Sequence, residues 1–288
     1  MLIFVGAERR FTVDGDDIPA LARELARLLP GWPFSIGETS GEADIVISHA
    51  AGGYVVHTKI AGCDALPAID LMDAGYQTTS ALFLLAASTG PHQFVVHAGA
   101  VDVGCGLVAF AGDTHAGKSS LALHLAAAGR RIFGDDRIIL SVPPVAPGRR
   151  ATAMALGLAR KVRLPLPQDF APAAVAYARA HQVGQTVEDV VYLDAAPGEA
   201  APFGERLPIS ALVLLDRRPD AVMAFEAVGA AETVRRLIGL TMGPHLTTQA
   251  LLAALALLAS TVPVLRLTAP NSCSAATAIL THDFTAVS

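Results

Sequence analysis

The chain has 288 residues, 52% of them hydrophobic and 16% charged, with a formal net charge of −5. That composition supports a sizeable buried core and excludes the basic field of a nucleic-acid binder. Cys63, Cys105 and Cys273 stand far apart with no CxxC pair, which argues against a zinc site or a disulfide framework and fits a reducing, cytoplasmic setting.

The opening "LIFVGA" reads as a first strand rather than a secretory signal, because no apolar h-region with a cleavage site is present. "IPALARELARLLPG" spaces its apolar residues as an amphipathic helix and stops at Pro30 and Gly31. "ADIVISHA" and "GYVVHTKIAG" form an expected hairpin around Gly52 and Gly53. "TTSALFLLAAST" reads as a helix ended by Gly90 and Pro91. "QFVVHAGAVDVGCGLVAFAGD" reads as two strands joined through Gly104 and Gly106. "KSSLALHLAAAGR" is a helix with Gly129 near its end, "RIF" a buried strand, and "RIILSV" a further extended run. Residues 143–208 are rich in Pro, Gly and Ala, with weak strand signals at "KVRLPL" and "VVYLDA". "SALVLLDR" is a strand, "GAAETVRRLIGLTM" and "TTQALLAALALLAS" are helices, and "VPVLRLTA" is a closing strand. The most apolar stretch, "ALLAALALLASTVPVL", is interrupted by Ser260, Thr261 and Pro263, so no membrane partner is expected. No repeat period appears. The expected organisation is a small N-terminal α/β module over 1–75 and a larger α/β domain over 76–288.

Chemistry concentrates in the larger unit. Gly112, Asp113, Thr114, His115, Ala116, Gly117, Lys118 and Ser119 match G-x-x-x-x-G-K-[ST] between a strand and a helix, the context that motif needs. Such a turn aims backbone N–H groups inward and adds the positive end of a helix, so 112–120, Ser120 included, is expected to hold the phosphates of ATP. Lys118 would reach the outer phosphates, and the Ser119 hydroxyl would ligate Mg²⁺.

Asp135 and Asp136 follow one helix and one short strand later. Parallel strands of a right-handed βαβ unit end at the same sheet edge, so both carboxylates are expected to face the terminal phosphate. Neighbours in extended chain point to opposite sides, so the two acids cannot share one task in the same way. One can sit on Mg²⁺ while the other takes a proton from an acceptor hydroxyl, with Arg137 beside them. A capped turn, in which either aspartate bonds local backbone, is the bland alternative. His97 ends "QFVVH" before small residues, and alone it reads as a satisfied core histidine. Lys161 and Arg163 would share one strand face and, with Arg160, could bind phosphate or an acidic acceptor; a solvated face is the other reading.

Taken together, "VVHAGAVDVGCGLVAFAGDTHAGKSSLALHLAAAGRRIFGDDRIIL" resembles the catalytic domain of HPr kinase/phosphorylase and its smaller HPr-kinase-like relatives, including lasso-peptide-associated kinases. The likeness covers about residues 79–270 and is strongest over 94–142. The resemblance implies a P-loop fold shared with phosphoenolpyruvate carboxykinase and ATP- and Mg²⁺-dependent phosphorylation of a serine hydroxyl on a small protein or peptide. It implies Asp135 as catalytic base, Asp136 as the neighbouring acid supporting metal and phosphates, and His97 as an active-site histidine. Two departures stand out. Thr114-His115-Ala116 replaces a small Gly-containing middle, and "ATAMALGLARKVRLPLP" stands where HPr kinase has a glutamate-containing E-x-R-G-x-G segment. HPr itself and a phosphorolytic back-reaction are therefore not implied. A regulatory nucleotide-binding module and an ATP hydrolase remain alternatives, and self-association is left open.

Overall fold

The computed structural model describes residues 1–5, 9–60, 62–144, 150–187 and 189–285, with the side chains of 184–187 outside that description. The end of the "LIFVGA" run and part of the Pro-rich 143–208 stretch lie outside the described residues.

The chain is a mixed α/β protein with three sheets among the described residues. The first sheet uses β1 (Leu2–Val5), β2 (Arg10–Gly15), β3 (Phe34–Ile36), β4 (Ile45–Ala50), β5 (Gly53–Thr58) and β6 (Leu66–Ala68), in the order β3-β1-β2-β4-β5-β6. The expected hairpin is β4–β5, closed by Ala51 and Gly52 with Ala50 opposite Gly53. Helix α1 (Ile18–Leu28) buries Leu21, Leu25 and Leu28, the i, i+4, i+7 face its spacing dictates. Helix α2 (Leu71–Ala87) begins earlier than the sequence suggests, because Asp70 caps it by accepting the Asp73 N–H. Gly75 lies inside α2, where it packs against Glu24 and Leu28 of α1.

The central ten-stranded sheet contains β7 (Gln93–Val96), β8 (Ala98–Asp102), β9 (Leu107–Ala111), β10 (Ile132–Gly134), β11 (Ile138–Ser141) and β12 (Thr152–Met154). The run expected as one strand before Gly104 is broken at His97. Strand β7 pairs with β11, whereas β8 pairs with β9 and β10, so the backbone crosses between two parts of the sheet there. Helix α3 (Lys118–Ala127) follows β9, and Gly129, with φ 76°, ends it in the left-handed region. The expected βαβ neighbours β9 and β10 are separated by β8, which runs antiparallel to both. The hairpin preceding β9 has already taken the adjacent position. Two antiparallel steps restore direction, so β9 and β10 still end at one edge.

The third sheet is β13 (Arg160–Arg163), β14 (Gln182–Val187) and β15 (Val190–Leu193), with β15 central. Helix α4 (Pro172–His181) precedes it. Strand β16 (Arg206–Arg217) is the longest: its start pairs with β12 and its remainder runs parallel to β9. Then follow β17 (Ala224–Ala227), α5 (Ala230–Ile238), β18 (Thr241–Met242), α6 (Thr248–Thr261), β19 (Val264–Ala269) and α7 (Ser272–Thr281). Thr241 and Met242, expected in a helix, instead pair with Val96 and Val95 after Gly239 ends α5. Strand β19 does not close the chain, since α7 packs beyond it.

Strand alternation sorts the core. Val108 and Phe110 face α3 and α7 through Leu121, Leu125 and Ile279, while Ala109 and Ala111 face α6 through Leu255 and Leu258. A separate core joins the first sheet to the central one through Trp32, Phe83, Val95, Ile139 and Leu156. Trp32 stacks on Phe203 at 3.6 Å and its indole N–H donates to the Leu156 carbonyl. Gly31 and Gly157 touch backbone to backbone, where a Cβ on Gly31 would lie 2.8 Å from the Gly157 Cα. No described helix is long and apolar enough to cross a membrane.

Candidate active site

Strand β9 is wholly buried and delivers the chain to Gly112. A Cβ there would come within 2.8 Å of the Ala116 Cβ and 3.3 Å of Leu215, so glycine permits the turn's tight return. His115, with φ 67°, and Gly117, with φ 92°, take left-handed conformations, and a Cβ on Gly117 would lie 2.8 Å from the Ser272 hydroxyl. Helix α3 then starts at Lys118 with no side chain capping it. Its first-turn N–H groups therefore keep their capacity for an anion. Lys118 is 6% exposed and folds back, donating to the carbonyls of Gly112 at 2.7 Å and Asp113 at 3.2 Å. Burial pulls its pKa down, opposed by the charges of Asp136 and Asp113.

At the same sheet edge, β10 ends in Gly134 and leads into the two aspartates. Both were expected to face one cleft, and the structure separates them. Asp136 lines a cleft of about 500 Å³ together with His97, Thr114, His115, Gly117, Lys118, Ser119 and Ser120. Asp135 is 4% exposed and instead borders a small space of about 20 Å³ beside Leu156, Gly157 and Arg160. Both acids sit in a bend beyond the end of β10 at Gly134, and that bend turns one outward and the other into the protein, where the Lys161 backbone N–H holds it.

Their environments differ accordingly. Burial and the adjacent Asp136 charge push the Asp135 pKa from 3.8 to about 7, against the pull of Lys161, Arg160 and a hydrogen bond from the Lys161 backbone N–H. Burial also penalises the Asp136 charge, but the His97 hydrogen bond and the cations of Lys161 and Arg137 outweigh it and hold that carboxyl well below its ordinary range. The Asp136 contacts are His97 Nε2 at 3.4 Å, Arg137 Nε at 3.7 Å and Lys161 Nζ at 3.8 Å. His97 itself is fixed by its backbone N–H, which donates to the Leu240 carbonyl at 2.8 Å.

The basic group of β13 also divides. Lys161 and Arg163 line the cleft, as their shared strand face requires. Arg160 points into the interior, donating to the Tyr177 hydroxyl at 2.7 Å and the Asp194 carbonyl at 3.0 Å, with Glu199 3.7 Å away. Asp113 is exposed and meets Arg236 of α5 at 3.4 Å. Gly112 and Ala116 shape the turn beside the cleft without lining it.

Three lining groups escaped the sequence reading. Arg217 ends β16, which runs parallel to β9 and so reaches the same edge; that parallel end was the signal available. Phe170 and the Pro165–Pro167 segment close another side, and Tyr76 arrives from α2. Nothing in local sequence marks Tyr76, whose place depends on how α2 packs.

No protein-family model matches the chain, and no curated protein matches it. Among solved structures, the chain is structurally similar to the HPr(Ser) kinase/phosphatase from Coxiella burnetii, of the family that the motif order resembles. The match has 13% sequence identity and covers 65% of this chain and 91% of that one, with a TM-score of 0.32. A likeness at that score carries no weight for the site, whose chemistry rests on the geometry above.

Proposed function

We propose that the protein is an ATP- and Mg²⁺-dependent kinase that transfers the γ-phosphoryl group to a hydroxyl, with a serine of a small protein or peptide as the acceptor class. One observation carries this reading. The uncapped start of α3 with Lys118 and Ser119 opens into the same cleft as the Asp136–His97 pair.

The residues fit the nucleotide. The glycine positions leave no room for a Cβ, and the first turn of α3 offers backbone donors and a positive dipole end to phosphate oxygens. Lys118 has a third ammonium hydrogen beyond its two carbonyl contacts, and it would neutralise charge on the outer phosphates. Ser119 and Asp136 supply two hard oxygen ligands to one cleft, the complement Mg²⁺ takes beside phosphate. When bound, that ion would neutralise charge on the β- and γ-phosphates. Arg163 and Arg217 extend the positive wall toward an acidic acceptor or the phosphates.

For the proton, reach precedes affinity. Asp136 is the carboxylate in the cleft, so it orients the acceptor hydroxyl, with His97 and Lys161 holding its two oxygens. A second reading keeps Asp135 as base, and its pKa of about 7 favours it. Arg160 serves the packing of β13 on α4 rather than phosphate. Residues 1–75 pack against the central sheet through the Trp32 core and contribute Leu28 to the cavity beside the cleft.

Incubation with γ-labelled ATP and candidate acceptors, followed by mass spectrometry of the label, tests the proposal. Label on a serine hydroxyl supports it. Bound but intact ATP would favour a regulatory module, and rapid free phosphate without labelled acceptor would favour a hydrolase.

A further inference from the structure

We infer that a second cavity, adjoining the first at Asp136, receives the hydroxyl acceptor, so that nucleotide and acceptor meet at that carboxylate from two chambers. This deepens the kinase reading and rests on it. The second cavity measures about 310 Å³, at the lower end of the roughly 300–1,000 Å³ range of small-ligand pockets. Tyr76, Asp136 and Lys161 belong to the walls of both spaces, whereas no residue of the 112–120 turn lines the second. A nucleotide held by that turn therefore leaves this chamber to another molecule.

Half of its walls come from α1 and α2. Helix α2 contributes Gln77, Thr79, Ser80 and Phe83, and α1 contributes Leu28. The wall is polar: Gln77 and Ser80 of α2 join the charged groups of Asp136, Arg137 and Lys161 in it, which suits a polar, hydroxylated guest. Arg137 and Lys161 outnumber Asp136, which suits a neutral or acidic one. The size admits a serine side chain with its flanking backbone, or a free polyol, but not a folded surface.

The step balances. The acceptor oxygen forms a bond to the γ-phosphorus as the bridge to the β-phosphate breaks, ADP leaves, and the hydroxyl proton departs to solvent, with Asp136 orienting the hydroxyl.

The test uses the full chain with γ-labelled ATP, Mg²⁺ and two probes, N-acetyl-Gly-Ser-Gly-amide and glycerol. Transfer to either supports the inference, and the one that accepts identifies the source. Ser80→Trp, which fills the chamber, should lower kcat/KM for the accepting probe by about thirtyfold or more while ATP affinity stays within about twofold. If Ser80→Trp does not fold, Gln77→Trp on the same wall gives the same readout. Unchanged kcat/KM in a folded Trp variant overturns the inference, as does labelling of neither probe by wild-type protein that binds ATP. Wild-type protein that binds no ATP sinks the kinase reading itself, a distinguishable failure.

Discussion

The two sides of the Asp135–Asp136 loop use the same residue type for opposite ends. On the outer side Asp136 meets His97, Arg137 and Lys161, and keeps its charge because the His97 hydrogen bond and the Lys161 and Arg137 cations outweigh its burial. On the inner side Asp135 faces packed backbone, and burial lifts its pKa to about 7. One peptide bond separates a carboxylate committed to charge from one that holds a proton near neutrality. Position relative to the sheet edge, not residue identity, sets the chemistry.

The sharpest way to break this comparison is to neutralise each acid in turn. Asp136→Asn should cut phosphoryl transfer by roughly two to four orders of magnitude, with ATP affinity changed far less, as a titration of ATP binding beside a transfer assay would show. Asp135→Asn should retain most of that transfer; the reverse ranking would move the base to Asp135. Lys118→Ala should weaken ATP binding by about tenfold to a hundredfold, the equivalent of a lost charge-assisted bond of roughly 1.5–3 kcal/mol. Gly117→Ala should destabilise the fold by about 1–3 kcal/mol through strain at φ 92° and contact with the Ser272 hydroxyl, read by urea unfolding.

The smallest effect tests the inner side alone. Folded protein keeps a proton on Asp135 that the unfolded chain, titrating near 3.8, releases. The stabilisation this gives is complete below that ordinary value and is lost as pH rises through about 7. Asp136 works the other way: its contribution is present above its ordinary pKa and disappears in acid. Thermal midpoints measured at pH 5 and pH 8 should therefore fall more in wild type than in Asp135→Asn. Equal falls would show that Asp135 is already charged at pH 5.

Much of the outer side was legible in sequence. The 112–119 spacing, the strand before it and the helix after it are local signals, and the structure brings that turn, His97 and Asp136 to one cleft. The split of the aspartates arose in the bend after β10, and which one turned inward depended on Lys161, whose N–H reaches Asp135 from another sheet. The insertion of β8 between β9 and β10 depended on long-range pairing. Helix α4 hid in an Ala- and Pro-rich stretch. Helix α7 hid in a run of small residues, although Asn271 caps it by accepting the Ser274 N–H. Tyr76 and the second cavity were illegible, because they arise where α2 meets β13 and β15.

Lys161 touches one aspartate with its main chain and the other with its side chain. Only the second of these grips can be edited by changing the amino acid at 161. A swap there removes a charge that both acids feel, yet leaves the hidden one's backbone anchor in place.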